Sequence, residues 1–501
     1  MHLTLALLLG ASISLQDSTV LRVLAINDFH GALEARPWPW SGGRLVGGAA
    51  VLKPWLDSLA RACRCTAVRL DAGDEMQGTL LSNFFYGRPA IAALNAFGID
   101  AAAIGNHEFD WSVDTLRARM AGVRYRFLAA NITDPAGTAR PDWAEPWTVI
   151  ERGRLKIAVI GLALRATPTN TAPRNVRGLA FGDGAAAVRR VLPGARSAAD
   201  FVIVVAHEGA FCDSAAAAAC RGEIVDVARR LDSGSVDLIV SGHTHSLVNT
   251  VVNGIPIVQA RSSGAGIAVV DFVRVRATER VARARIETPY ADQVRPDPAL
   301  ADTVREYERS IETVTSRPVT RLKTDLRRSG EEYGLGRLIA DAQRNVARAD
   351  VAIVNNGGLR ADLAAGLVTY GALYQVQPFQ NRLMRLAIPG KALKQALEHA
   401  VAGDRADAHV AGVELWYDAH QRPGGRITKV RLADGRGIDE RRTYTLAASD
   451  FLAAGGGGYT MLQDLPAHDL GLLDLDALIQ YLAVLRQPVA APADERVHRV
   501  R

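Results

Sequence analysis

Beyond its first fifteen residues the chain has no run long and apolar enough to cross a bilayer as a helix, which argues against a membrane-spanning helix. Cysteine is scarce. The four present in 501 residues fall as two local pairs, Cys63 with Cys65 and Cys212 with Cys220. Such pairs suit short-loop disulfides in an oxidising compartment, with four free thiols as the lesser alternative because the spacing is not diagnostic. A C-x-C pair can bind metal, but no Cys or His partner lies near this one in sequence. One-sided charge is lacking too: 59 Lys+Arg stand against 53 Asp+Glu, spread along the chain. That mild excess tolerates an anionic substrate but is not the footprint of a nucleic-acid binder.

What is present begins with MHLTLALLLGASIS, an apolar core from Leu3 to Leu15 followed by small residues, without a basic leader. It is signal-peptide-like, and the expectation is a signal peptide over 1–18 and a periplasmic or secreted protein. No lipobox cysteine follows it, which argues against a lipoprotein anchor. With 48% hydrophobic and 22% charged residues over this length, the chain should fold into two or more domains.

The first half alternates β-rich apolar runs with helical Ala/Leu/Arg stretches: LRVLAI, AVRL, AAAI, KIAVIGLAL, FVIVVA and VDLIV. The alternation predicts α/β layering, with functional groups gathering where buried strands end. Five of these runs end in metal-ligand types. Asn27, Asp28 and His30 follow the first; Asp71 and Asp74 the second; Asn106, His107 and Glu108 the third. His207 and Glu208 follow FVIVVA, and His243 and His245 follow VDLIV. Any one cluster reads equally well as a polar turn; five at the ends of five strands do not.

Imidazole, carboxylate and amide donors without thiolate suit Zn, Mn, Fe or Co. Two divalent metal ions side by side need a shared acid, and Asp74 is the natural bridge. Asp28, His30 and His245 would complete one side, and Asn106, His207 and His243 the other.

Taken in order, D-x-H, G-D, G-N-H-E, a lone His and G-H-x-H resemble the calcineurin-like metallophosphoesterases. The longer forms NDFHG, LDAGDEMQGT and GNHEFD resemble the 5′-nucleotidase branch. The resemblance implies the same metal ligands, position by position, and in-line attack of a metal-bridging hydroxide on phosphorus. It also implies that His107 stabilises the transition state or leaving oxygen and that Asp110 orients it.

The segment from Pro296 to Val319 has helix-compatible spacing after a Pro-Asp start and stops at Pro318, so it reads as a connector helix. Beyond it, LGRLIADAQRNV, VAIVNNGGLR, YGALYQVQPFQN and ASDFLAAGGGGYTML resemble the C-terminal domain of 5′-nucleotidases. The expected fold is therefore α/β: a four-layer α/β/β/α metallophosphoesterase sandwich over 19–292, a connector over 293–318, an α+β domain over 319–485 and a tail over 486–501.

Within that second domain the resemblance implies substrate contacts from Asn355 and Arg360, with a further arginine at Arg327 or Arg328. It also implies nucleobase stacking between Phe379 and Phe451. One position departs from the pattern: where the family usually has G-G-D-G-[FY], this chain reads Gly455-Gly456-Gly457-Gly458-Tyr459. Gly457 has no carboxylate for a ribose diol, so preference could relax toward deoxynucleotides, nucleotide sugars or other phosphate esters.

The expected activity is removal of the 5′-phosphate from nucleotides, with nucleotide diphosphates or UDP-sugars as further substrates. Intact His107 and Asp110 argue against a non-enzymatic binding protein. They also argue against a thiosulfohydrolase, and a 2′,3′-cyclic phosphodiesterase/3′-nucleotidase remains the alternative. Two domains contributing to one site further imply hinge closure near residues 315 to 325.

Overall fold

The computed structural model describes residues 18–213, 220–274 and 280–500. All but the last residue of the expected signal peptide lies outside them.

Period-two alternation in the strands builds the first domain. In the strand Ser18–Ile26, Leu21, Val23 and Ala25 enter one core while Leu24 and Ile26 enter another. In the strand Phe201–Ala206, Phe201, Ile203 and Val205 enter that same first core, and Val202, Val204 and Ala206 enter a third. The shared core is the seam between two six-stranded sheets. The other two cores lie beneath helices: Ala49–Ala62 and Arg88–Phe97 on one side, Gly184–Ala198 and Glu223–Arg230 on the other. The result is the four-layer α/β/β/α sandwich expected from the sequence.

The first sheet carries the strand Ser18–Ile26 parallel to Thr66–Asp71, then Ala101–Ala103 and Arg126–Leu128. The second runs Leu155–Leu162, Phe201–Ala206, Leu238–Ser241 and Ile255–Gln259 in parallel. Register brings Ile26 level with Asp71, and Ala206 level with Leu162 and Ser241. Five strands therefore release their chains along one edge of the sandwich.

The helix Pro298–Thr315 starts where Asp297 caps it, accepting from the Leu300 amide at 3.0 Å, with Pro298 in its first turn. It buries Leu300, Val304 and Ile311, and packs against helices of the first domain and against Tyr370–Val376 of the second. The second domain is α+β, centred on a five-stranded sheet in the order Ala408–Ala411, Val351–Asn355, Thr443–Ser449, Arg382–Pro389, Ala467–Leu473. The last residues are woven into it, because the strand Val497–Arg499 pairs parallel with Val413–Tyr417. Both cysteine pairs are disulfide-bonded, Cys63 to Cys65 and Cys212 to Cys220. Among the described residues no helix is long and apolar enough to cross a membrane.

Candidate active site

The loops leaving the five strands converge on two donor groups: Asp28, His30 and His245 in one, Asp74, His207 and His243 in the other. Within each, the ligand atoms lie inside 4.8 Å of one another. Asp28, His30, Asp74, His243 and His245 all have left-handed backbone, with φ between 51° and 73°. Non-glycine residues pay roughly 1–3 kcal/mol for this, and such strain persists where a site demands it.

Carbonyls settle the histidine tautomers. His30 Nδ1 donates to the Gln77 carbonyl at 2.7 Å, and His207 Nδ1 to the Ala72 carbonyl at 2.8 Å. Each Nε2 is left as a lone pair pointing into the site. His30 Nε2 then faces His245 Nε2 at 3.0 Å, and buried His207 Nε2 lies 2.9 Å from Asp74 Oδ2 without a hydrogen bond. Asn106 turns its amide nitrogen toward the Asn170 carbonyl and leaves Oδ1 buried and unpartnered. Converging acceptors without protons fit divalent cations held by these seven residues, with hard and borderline donors only.

Asp74 lies so close to Gly105 that a Cβ there would meet its Oδ1 at 2.1 Å, which explains the glycine of GNHE. Glu108, which sequence reasoning left without a job, secures this approach. Its fully buried carboxylate accepts from the Asp74 amide at 2.9 Å and from the Gly105 and Glu75 amides at 2.8 Å each.

His107 Nδ1 donates to Asp110 Oδ2 at 2.6 Å, and the Thr171 hydroxyl donates to Asp110 Oδ1 at 2.7 Å. Sequence reasoning missed Thr171, since nothing in its local pattern marks it. Burial opposes the charged imidazole of His107, but Asp110 and Asp74 outweigh it and raise its basicity above that of an ordinary histidine. Burial pushes His243 down to about 4, which keeps this imidazole neutral.

The second domain reaches this centre. The Phe379 ring lies nearly parallel to the His107 ring, centroids 5.8 Å apart, with the Arg360 guanidinium 5.8 Å from the Phe379 centroid. Arg328 and Arg360 line a cavity of about 950 Å³ that also includes His30 and His245. The two arginine candidates separate here: Arg328 donates to the Leu359 carbonyl at 2.6 Å beside Arg360, whereas Arg327 pairs with Asp325 at 3.1 Å on the surface. Asn355 ends the strand Val351–Asn355 and sits against Gly358 of the same loop, off this cavity wall. Phe451 covers the glycine run, its ring over Gly456. Gly457 has φ 63°, and a Cβ there would meet nothing nearer than the Phe451 ring at 3.7 Å.

Residues 21–247 match the calcineurin-like phosphoesterase family, and residues 312–464 match the C-terminal domain of 5′-nucleotidases. The chain is 28% identical over 513 residues to Endonuclease YhcR of Bacillus subtilis, covering 96% of this chain but only 41% of that longer protein. Against Protein UshA of Yersinia enterocolitica it is 27% identical, with 92% of this chain and 90% of that one covered. The crystal structure of a 5′-nucleotidase precursor from Thermus thermophilus superimposes with a TM-score of 0.83 at 25% identity, covering 96% of this chain and 99% of that one.

Proposed function

Because the chain belongs to the 5′-nucleotidase family of metal-dependent phosphoesterases, we propose that it removes the 5′-phosphate of nucleotides after export from the cytoplasm. One observation carries this reading: His30 and His245 of the first donor group line one cavity with Arg328 and Arg360 of the second domain, and the His107 ring, paired with Asp110, lies against the His30 ring with centroids 5.3 Å apart.

Asp28, His30 and His245 would hold one cation and Asn106, His207 and His243 the other, with Asp74 shared. Bound cations would supply Lewis-acid charge to the phosphoryl oxygens and acidify a water. The residues of the chain do the rest. Arg328 and Arg360 present guanidinium forks to the phosphate. His107, kept protonated by Asp110, donates to the departing ester oxygen as water attacks phosphorus in line and the P–O bond breaks. Thr171 fixes Asp110, which fixes the His107 ring. Phe379 and Phe451 would stack the base, and Asn355 would contact the substrate from the NNGGLR loop. Two disulfides and the signal-like amino terminus support an oxidising, extracytoplasmic location.

AMP, deoxy-AMP, UDP-glucose and 2′,3′-cyclic AMP assayed with added Mn or Zn test the reading. Phosphate release from AMP and deoxy-AMP is expected, and turnover confined to the cyclic ester would replace it with the phosphodiesterase.

A further inference from the structure

The cavity does not end at the candidate metal ligands. From His30 and His245 it runs outward past Arg328 and Arg360, along the helix Pro298–Thr315, to Arg36 and Trp38 on the hairpin of Arg36–Pro37 with Leu45–Val46. A mononucleotide whose base lies against Phe379 and Phe451 leaves this arm empty, since neither ring is on its wall.

Five arginines stand against three glutamates on the cavity wall, and of these arginines Arg328 also pairs with Asp362 at 3.5 Å. Among the described residues, no carboxylate lies within ion-pair distance of Arg36 or Arg360. Desolvation by neighbouring groups and then the positive charge of Arg328 disfavour the charged form of exposed Arg36 and of Arg360, and at Arg360 the Asp74, Asp110 and Asp28 carboxylates act in the opposite sense. Like charges brought together across a cleft raise the free energy of the empty protein, and an anion placed among them recovers it. The acids on the same wall, Glu34, Glu308 and Glu312, offset them only in part. Glu34 faces Glu308 across the cleft, and its pKa rises to about 7 through desolvation and that neighbour.

Arg36 is also held in place. Its guanidinium sits 4.2 Å from the Trp38 ring centroid, Trp38 stacks on Trp40 at 6.0 Å and 21°, and Arg261 covers Trp40 at 4.2 Å. Stacking of this kind orients a planar cation without consuming its donors, leaving the fork free for a ligand.

We infer that Arg36, held on Trp38 and facing Arg328, forms a second phosphoryl subsite. Arg36 then determines specificity for substrates that carry a second phosphate beyond the one hydrolysed. The inference rests on the nucleotidase reading for its substrate class, but the subsite itself does not, so its test uses inorganic anions.

Calorimetry on the metal-loaded protein would compare binding of pyrophosphate and phosphate to the natural chain, Arg36→Ala and Arg36→Lys. Arg36→Ala should weaken pyrophosphate by about tenfold, the loss of one charge-assisted contact, and phosphate by less than about twofold. Arg36→Lys should recover part of the loss, because charge is kept but the fork and stack are not. Trp38→Ala should shift pyrophosphate in the same direction by a smaller factor. Equal weakening of both anions, or none, would overturn the subsite. In parallel, kcat/KM for ADP and UDP-glucose should fall in Arg36→Ala while that for AMP holds. If the natural chain hydrolysed no nucleotide, the functional reading would fall while the calorimetric answer stood.

Discussion

At the scale of single residues, the site divides by what each side chain can still bond. Asp74 and Asp28 both stand between the donor groups, each 3.9 Å from His30, but Asp74 comes closer to His207, at 2.9 Å against 4.0 Å for Asp28. Asp74→Asn should cut metal content and turnover together by more than about a hundredfold, since losing even a residue that orients a ligand costs about 10–100-fold; full activity with two bound ions would refute the bridge. His107 has its outward nitrogen free, so His107→Ala should lower kcat by about 10²–10⁴ and leave metal content, read by elemental analysis, unchanged. Gly457→Asp asks about the other end of the substrate. The space beside Phe451 admits a carboxylate, and Asp tolerates left-handed backbone better than most residues, so AMP should gain over deoxy-AMP by about tenfold in kcat/KM. An unchanged ratio would mean that the diol is read elsewhere. The donors were legible in sequence because each follows a recognisable strand. Glu108 and Thr171 were not legible in role, because they act through amides and a carboxylate that only the fold brings to them.

At the scale of elements, periodicity told most of the story. The runs LRVLAI and FVIVVA were readable as buried strands, and the two-core alternation of Leu21 to Ile26 follows from strand geometry alone. The helix Pro298–Thr315 announced itself through Asp297 and Pro298. The strand Val497–Arg499 did not, because three residues beside a distant partner carry no local signal. The helix Asp474–Val484 contributes a pH dependence of its own. Burial pushes the Asp474 carboxyl up to about 7, and the nearby Asp450 adds to this, against hydrogen bonds from the Leu475 amide and Asn381. The folded state therefore binds a proton that the unfolded chain releases near the ordinary aspartate value of 3.8. The stability held below that value is lost as pH rises through about 7, by at most about 4 kcal/mol. Asp474→Asn should raise the melting temperature at pH 8 and leave it no higher at pH 4. A gain of equal size at both values would assign the effect to packing.

At the scale of the whole molecule, the question is how a nucleotide enters a site closed from two sides. Phe379 covers the His107 ring, Asn83 of the first domain donates to the Pro378 carbonyl of the second at 3.2 Å, and Arg174 pairs with Asp450 at 2.8 Å. We propose that the domains part to admit a base to the half-buried Phe379, with the residues just after the helix Pro298–Thr315 as the hinge. The contacts are small enough to permit it. The Arg174 side chain is 57% exposed, so its ion pair is worth no more than about 1 kcal/mol. Removing it should shift the balance toward the open form by no more than about fivefold. Arg174→Ala should therefore raise KM for AMP by up to that factor and leave kcat nearly intact, because no group at the phosphorus has changed. Small-angle scattering should show the natural chain contracting when a nucleotide is added, and the variant starting from a larger radius. Identical profiles with and without nucleotide would mean that the two domains do not part, and that the substrate reaches the site through the Arg36 arm of the cavity instead.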